Sequence, residues 1–414
     1  MTRAAEHRVV VTGIGVVSPI GTGVRDFWRD TLAGKVGVGP LTRFDPQPFG
    51  SRVAAQIDDF DPADHLERAQ YRRTDRYAQF ALVAAKLALD DARFDVGDGD
   101  EVGVWIGSAL GGLAFAEEQH DAFLQSGPKV VRPLLAISVF GGAATANVAL
   151  AFGLRGPNVA NSNSCAAGAV AIGDAYRAIA RGDVRAALAG GAEAPLSPLI
   201  FGAFAVIKAM STRNDDPPRA SRPFDLDRDG FVMAEGAGVL LLERYEDALA
   251  RDVRIYGEIA GFGLTSDAYH MTAPRPDGSG SSQAMLRALR EAQLGADEVE
   301  LVDAHGSSSP LNDVTETAAL KLALGAAAYR VPVTGTKGQH GHALGATGAW
   351  EAALSLLAIH EKRVPRTVNL ERADPACDLD YVREERALAP RVVLSNSTGF
   401  GGINAALVLR GIDN

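Results

Sequence analysis

The chain has 414 residues, 47% hydrophobic and 22% charged, the balance of a soluble globular protein able to bury a large core. A formal net charge of −10 argues against a general nucleic-acid binder, which needs a basic face for phosphates, and leaves local basic patches open. Met1 to Val9 lacks the apolar run of a signal sequence, and no stretch of about 18 uncharged apolar residues occurs, so no membrane span and a cytoplasmic location are expected. With only Cys165 and Cys377, there is neither a disulfide framework nor a Cys-rich metal site.

In chain order, Arg8 to Val17 (RVVVTGIGVV) is a β-branched run ending in glycines, and Arg254 to Leu264 (RIYGEIAGFGL) reads the same way. Each carries the frame G-x-G-x-x-S, Gly13 to Ser18 and Gly261 to Ser266, as a duplicated gene would; in a Gly-rich chain, coincidence is the alternative. Ser18 and Ser266 stand where a dinucleotide loop needs its third glycine, so that reading is set aside. Further strands are expected at Val102 to Ile106, Ala186 to Ala189, Val239 to Leu242, Leu301 to Val302, Val331 to Val333, Val392 to Ser395 and Ala405 to Leu409. Between them lie Ala-rich helical stretches at Ala78 to Ala92, Ala166 to Arg181, Ser282 to Ala292 and Ala349 to His360. Such alternation implies α/β sheets covered on their faces. A charged stretch at Ala250 to Val253 divides the chain into halves, residues 1–251 and 252–414.

Cys165 lies in Asn161-Ser162-Asn163-Ser164-Cys165-Ala166-Ala167-Gly168, after a short extended segment and at the start of a helix. Free amides and the helix dipole there favour a thiolate, drawing the pKa below about 8.5. The alternative is a buried structural cysteine. His305 follows an expected strand ending at Asp303, and His342 lies in Gly341-His342-Ala343-Leu344-Gly345 ahead of a helix. Both stand at Gly-rich strand-to-helix turns, where α/β sheets put reactive groups; each alone also reads as a hydrogen-bonded loop histidine. His340 neighbours His342, but no Cys or carboxylate with ligand spacing joins them, so no metal is expected.

With these three motifs the chain resembles, over essentially its whole length, the β-ketoacyl-acyl-carrier-protein synthases of the elongating type. These are thiolase-superfamily enzymes that include ketoacyl synthase II and the ketosynthase subunits of type II polyketide synthases. The resemblance also rests on Gly107-Ser108-Ala109-Leu110-Gly111-Gly112, Gly190-Gly191-Ala192-Glu193, Ser221-Arg222-Pro223-Phe224-Asp225, Ser266-Asp267-Ala268-Tyr269-His270 and Gly399-Phe400-Gly401-Gly402. It implies a thiolase fold, two duplicated α/β halves in five αβαβα layers. It also implies a decarboxylative Claisen condensation that adds two carbons from malonyl-acyl-carrier-protein to an acyl group held on Cys165.

In that reading Cys165 is the nucleophile, the amides of Cys165 and Phe400 form an oxyanion hole, and His305 and His342 stabilise the malonyl enolate. Lys337 matches the family's active-site lysine, paired with the acidic residue at Glu316, while Asp313 orders the turn. Phe400 and Phe204 gate the site; Leu110, Ser307, Ser309, Thr398 and the Ser138 to Ala144 stretch border the substrate. No cofactor is implied beyond the phosphopantetheine of the acyl carrier protein, whose docking surface maps to Arg72 and Arg73 beside Arg76, to Lys129 and to Lys208. The other implied partner is a second subunit, in a homodimer or a heterodimer with a chain-length-factor-like protein. Asn163-Ser164, Ser307, Ser309 and Thr398 depart from many relatives and leave the acyl group and the fatty-acid or polyketide pathway open. A degradative thiolase would need a second active-site cysteine, and Cys377 lacks the Gly-flanked setting. A noncatalytic chain-length partner would have lost the nucleophile.

Overall fold

In the computed structural model, residues 7–412 are described; Met1 to Glu6, part of the segment read as lacking a signal sequence, lie outside them. The first half of the main sheet includes β1 (Val9–Ser18), β2 (Val102–Gly107), β3 (Asn158–Asn161), β4 (Ala186–Glu193) and β5 (Gly236–Arg244), with the short strand Gly21–Thr22 paired to the end of β1. Their helices include α1 (Arg76–Asp91), α2 (Leu113–Ser126), α3 (Ala167–Ala180) and α4 (Pro198–Val206). The second half supplies β6 (Gly257–Ser266), β7 (Leu301–Asp303), β8 (Val333–Thr334), β9 (Val392–Gly399) and β10 (Ile403–Arg410), with α5 (Ser279–Ala292), α6 (Pro310–Leu324) and α7 (Thr347–Glu361).

The spatial order is β3-β2-β4-β5-β1 in one half and β8-β7-β9-β10-β6 in the other, the same permutation of chain order. Directions repeat as well: the first three strands of each series run parallel, and the next two joins are antiparallel. β1 and β6 meet in a short antiparallel pairing, Val9 to Val11 against Ile259 to Gly257, that links the two series. Helix α1 covers one outer face, α5 and α6 the other, and α3 and α7 lie between the two sheets, giving five layers. Every residue of α7 from Thr347 to Ala358 is buried, as expected for a helix with sheets on both sides.

The repeated G-x-G frame acquires a physical meaning in this arrangement. A methyl group on Gly13 or Gly15 would run into the carbonyl oxygens of Ala88 and Ala84 on α1, and one on Gly261 or Gly263 into those of Ala288 and Ala284 on α5. In both halves the frame is the place where an outer helix lies directly on strand backbone. The equivalent positions of the two frames in one repeated topology favour duplication over coincidence.

Most expected strands appear with longer bounds, but Val331 to Val333 is replaced by Val333–Thr334. Pro332 has no amide to give a ladder; its carbonyl instead accepts from Val302 N at 2.9 Å, and pairing starts one residue later. The expected helix from Ala166 begins with a 3-10 turn, Ser164–Ala166, and enters α3 at Ala167. Among the described residues no helix is long and apolar enough to cross a membrane.

Gly15→Ala and Gly263→Ala should each destabilise the protein by about 1–3 kcal/mol, since the added methyl can fit only by lifting a helix off its strand. Calorimetric melting of both variants against the parent checks this; an unchanged melting temperature would contradict the packing argument.

Candidate active site

Cys165 occupies the middle of the 3-10 turn that opens α3, with Ser164 before it at φ 52°, a conformation disfavoured for a residue with a Cβ. The second half repeats the device: Leu344, at φ 42°, opens the turn Leu344–Ala346 ahead of α7, so Gly345 is the structural counterpart of Cys165. His342 precedes that turn, and His305 lies just beyond β7. Cys165, His305 and His342 line one cavity of about 320 Å³, and the two imidazole rings face each other edge-on with centroids 5.2 Å apart. Phe204, Lys208, Ser307, Ser309, Thr398 and Phe400 share its wall. Phe204 and Phe400 are stacked at 6.0 Å, and Phe231 stands edge-on to His342 at 5.4 Å.

Beneath the histidines lies a buried charge cluster. The Lys337 ammonium has three acceptors: the Glu351 carboxylate, the His305 carbonyl oxygen, and His305 Nδ1 at 3.5 Å. A full set of acceptors suits a charged, three-donor ammonium. The expected pairing of Lys337 with Glu316 is therefore corrected: its partner is Glu351, which α7 carries into the space between the sheets. Glu316, on α6, instead accepts from the amides of His305 (2.7 Å) and Gly306 (2.8 Å) and from Asn396 Nδ2 (2.7 Å). It holds the His305 loop by its backbone. Asp313 serves a different turn, accepting from Phe224 N at 2.7 Å, where Phe224 has φ 63°.

Burial first, and then the Lys337 charge, hold both imidazoles well below the ordinary histidine pKa, so they are neutral at pH 7. Burial also lifts the Glu351 carboxyl well above its usual range, with Lys337 pulling the other way. The expectation of a depressed cysteine pKa does not hold. Burial pushes the Cys165 thiol up to about 11, outweighing Ser164, Lys337 and the Phe400 amide, which all pull it down. Position at a helix start is overruled by removal from water.

Other expected residues fall in different places. Leu110 does not line the cavity; it packs in the same apolar cluster as Cys165, and its amide donates to Glu193 Oε1 at 3.1 Å. Arg72, Arg73 and Lys129 are exposed but are not part of the cavity wall, whereas the exposed Lys208 is. Arg76 is already committed, with two bonds of 2.8 and 2.9 Å to buried Glu235. Cys377 is buried elsewhere, its thiol also raised by burial to about 11. Sequence reasoning missed Glu351 and gave Glu193 no role, though each is a lone charge in an apolar run, a pattern that marks a buried, partnered group. Glu193 accepts from Ser108 Oγ (2.9 Å) and from the amides of Ala109 (2.7 Å), Leu110 and Gly345 (3.0 Å), tying the loop after β2 to the turn before α7. Thr347, 3.0 Å from His342 Nδ1, and Asn396 also escaped notice. Among the described residues, no group of three His, Cys, Asp or Glu side chains is arranged to hold a metal ion.

A cysteine at a strained helix start, sharing a cavity with two neutral histidines in a duplicated five-layer fold, defines a thiol-dependent condensing acyltransferase. The beta-ketoacyl synthase N-terminal domain matches residues 6–248 and the C-terminal domain residues 256–371. A 3-oxoacyl-[acyl-carrier-protein] synthase 2 of Synechocystis is 46% identical over 99% of both chains. Among solved structures, the ishigamide ketosynthase/chain length factor is 34% identical with a TM-score of 0.93, over 99% of this chain and 100% of that one. A type II polyketide ketosynthase, solved with its acyl carrier protein and bound to a hexaketide, is 36% identical with a TM-score of 0.90, over 99% of this chain and 100% of that one. The chain belongs to the β-ketoacyl synthase family.

With the thiol at about 11, alkylation of Cys165 by iodoacetamide should accelerate about tenfold per pH unit from pH 7 to near 10, because only the thiolate reacts. Mass spectrometry of the Cys165 peptide over a pH series measures this. A plateau below pH 8 would mean that the helix start, not burial, governs the thiol.

Proposed function

We propose that the chain elongates acyl chains by two carbons, taking both substrates from acyl carrier protein, with Cys165, His305 and His342 as the reacting residues. The observation that carries this reading is the shared cavity of one thiol and two neutral imidazoles. Cys165 Sγ attacks the thioester carbonyl of the first carrier; the carbon-sulfur bond to pantetheine breaks, and the thiol proton leaves with the pantetheine sulfur. The amides of Cys165 and Phe400 stabilise the oxyanion formed at that carbonyl.

The malonyl unit then enters. Lys337, which can only donate, lies 3.5 Å from His305 Nδ1, which puts that imidazole's proton on Nε2; in this reading the Thr347 hydroxyl, 3.0 Å from His342 Nδ1, donates there and leaves the His342 proton on Nε2 as well. Two Nε2–H donors thus face the malonyl thioester oxygen. Loss of carbon dioxide leaves its electron pair as an enolate held by these donors, and the enolate carbon attacks the acyl-Cys165 carbonyl, releasing the thiolate. A protonated histidine is not needed, which matches the depressed imidazole pKa values. Phe400 and Phe204 gate the acyl side, and Lys337, Glu351, Glu316 and Asp313 are supporting residues.

The chain acts in the cytoplasm, without a metal or a resident cofactor, and divides at residues 251 and 252. It works with a second subunit; Ser307, Ser309 and Thr398 in the cavity wall favour a polyketide or polyene chain over a saturated one, and hence a chain-length-factor-like partner. The ishigamide enzyme, solved as a ketosynthase with a chain length factor, supports that choice.

Cys165→Ala should abolish condensation while the fold survives, and His305→Ala or His342→Ala should each slow malonyl decarboxylation by about a hundredfold or more. Release of carbon dioxide from malonyl carrier protein measures the second effect, and a histidine variant that decarboxylates at the parent rate has been wrongly assigned. Carrier docking has its own test, because the acidic carrier meets a chain of net charge −10 and needs local basic groups. Reversing Arg72, Arg73 and Lys208 together to Glu should raise KM for carrier-bound substrate and weaken its salt dependence. A short pantetheine thioester should react unchanged; equal loss with both substrates would dismiss the docking surface.

A further inference from the structure

One fully buried histidine takes no part in the proposed chemistry. His340, in Gln339-His340-Gly341-His342, lies outside the wall of the reaction cavity and closes the single helical turn Lys337–His340. The first residue of that turn supplies the ammonium beneath His305, and the chain reaches His342 just after its last. Both ring nitrogens of His340 are used. Nδ1 lies 2.8 Å from Gly341 O, which can only accept, so Nδ1 carries the proton; Nε2 then accepts from the Thr336 hydroxyl at 3.0 Å. Burial first, and then the Lys337 charge, lower this imidazole to about 3, so at neutral pH it keeps one donor and one acceptor. Its two partners stand directly ahead of Lys337 and of His342.

The imidazole is itself held in place. It stands edge-on to Trp350 of α7 at 5.1 Å and tilted against Phe27 of the helix Val24–Leu32 at 6.4 Å, and Trp350 donates from Nε1 to Ala237 O at 2.8 Å. The peptide that His340 grips is the one that enters His342. Gly341 O and His342 N belong to one planar unit, and His342 N donates to Val232 O at 2.8 Å while His340 Nδ1 holds the carbonyl. Gly341 has φ 68° and ψ −162°, a conformation open essentially to glycine, so its own backbone preference does little to fix that carbonyl. Packing against Trp350 and Phe27 would be served by an apolar ring, which offers neither bond.

We infer that His340 is a positioning residue for malonyl decarboxylation: its imidazole staples Thr336 to Gly341 across the helical turn and so sets where Lys337 and His342 stand relative to each other. The inference rests on the reading of His342 as a donor to the malonyl thioester oxygen and names what aims that donor. His340 itself touches no substrate. Cys165 is carried by the other half of the chain and is not tied by the staple, so the two half-reactions separate. Loss of the staple falls on decarboxylation and spares acyl transfer, and a shift of about 1 Å in a reacting group can cost about a hundredfold.

The test follows the two steps separately in the full-length protein: acylation of Cys165 from acyl carrier protein by intact mass, and carbon dioxide release from saturating malonyl carrier protein. His342→Ala is the reference for the reaction itself. His340→Phe keeps a ring against Trp350 and Phe27 and removes both bonds; it should slow decarboxylation about tenfold or more while acylation stays close to the parental rate. His340→Asn, whose amide nitrogen can take the place of Nδ1 and donate to Gly341 O, should bring decarboxylation back to within about threefold of the parent. If His340→Phe does not fold, Thr336→Val, which removes the other end of the staple without changing shape, should show the same selective loss. A parental rate of decarboxylation in the staple variant beside a slowed His342→Ala overturns the positioning role and leaves the reaction reading intact. A parental rate in His342→Ala overturns that reading and the inference with it. Equal loss of both steps, or no recovery in His340→Asn, makes His340 a packing residue and overturns the inference alone.

Discussion

The whole arrangement depends on how closely α3 and α7 approach between the sheets. A Cβ on Gly168 of α3 would lie 2.7 Å from Gly345 O and 3.1 Å from Ala349 N, and one on Gly348 of α7 would lie 3.0 Å from Ala169 N. The two helix starts can therefore meet backbone to backbone. Cys165 stands at one start, and His342 just ahead of the other. Gly399 makes the third close approach, since a Cβ there would lie 3.1 Å from Cys165 N, which brings the strand end carrying Phe400 onto the nucleophile. Glycine is required at these points for space, and a larger residue would separate the groups whose chemistry needs contact.

Duplication supplied two equivalent strained turns, and the halves have since diverged in what the turns carry. Ser164-Cys165-Ala166 presents a thiol, while Leu344-Gly345-Ala346 presents only backbone, its Gly345 amide bound to Glu193 at 3.0 Å. The groups gathered on the cavity therefore come from both halves: the thiol from the first, both imidazoles from the second. Neither half holds the reacting set alone. This explains why α3 and α7 are buried where they start, from Ala167 to Gly173 and from Thr347 to Ala358, since any slack there would change the spacing of thiol and imidazoles.

Burial sets the electrostatics of the site, and one buried cation adjusts them. Removal from water lowers both imidazole pKa values and raises the Cys165 thiol; Lys337 adds to the first effect, opposes the second, and is paired with Glu351. Removing one member of such a pair leaves an uncompensated buried charge and costs about 3–5 kcal/mol, far more than an exposed ion pair contributes. The histidines are thereby fixed as neutral donors, and the thiol stays protonated until substrate enters. The two effects suit a site that must not react before it is loaded.

The sequence by itself was sufficient for the α/β class and the repeated G-x-G frame, and it marked Cys165, His305, His342 and Phe400, which the structure gathers on one cavity. Each of these shows locally, as β-branched runs, a G-x-G frame, or a reactive side chain at a Gly-rich turn. The partner of Lys337 was not readable, because Glu316 and Glu351 are both acidic, both helical and both distant in sequence; only the packing of α7 between the sheets places Glu351 against the ammonium. Nor was the thiol's protonation. Helix-start chemistry is local and predicts a thiolate, but burial depends on residues such as Phe204, Leu344 and Phe400, which come to the same cavity from three separate segments. Leu110 packs against the apolar cluster that contains Cys165, and its amide is held by Glu193 at the end of β4, a contact that no local pattern announces. Local pattern determined which groups exist and on what elements, whereas their pairing, charge state and exposure came from long-range packing, which no short window of sequence contains.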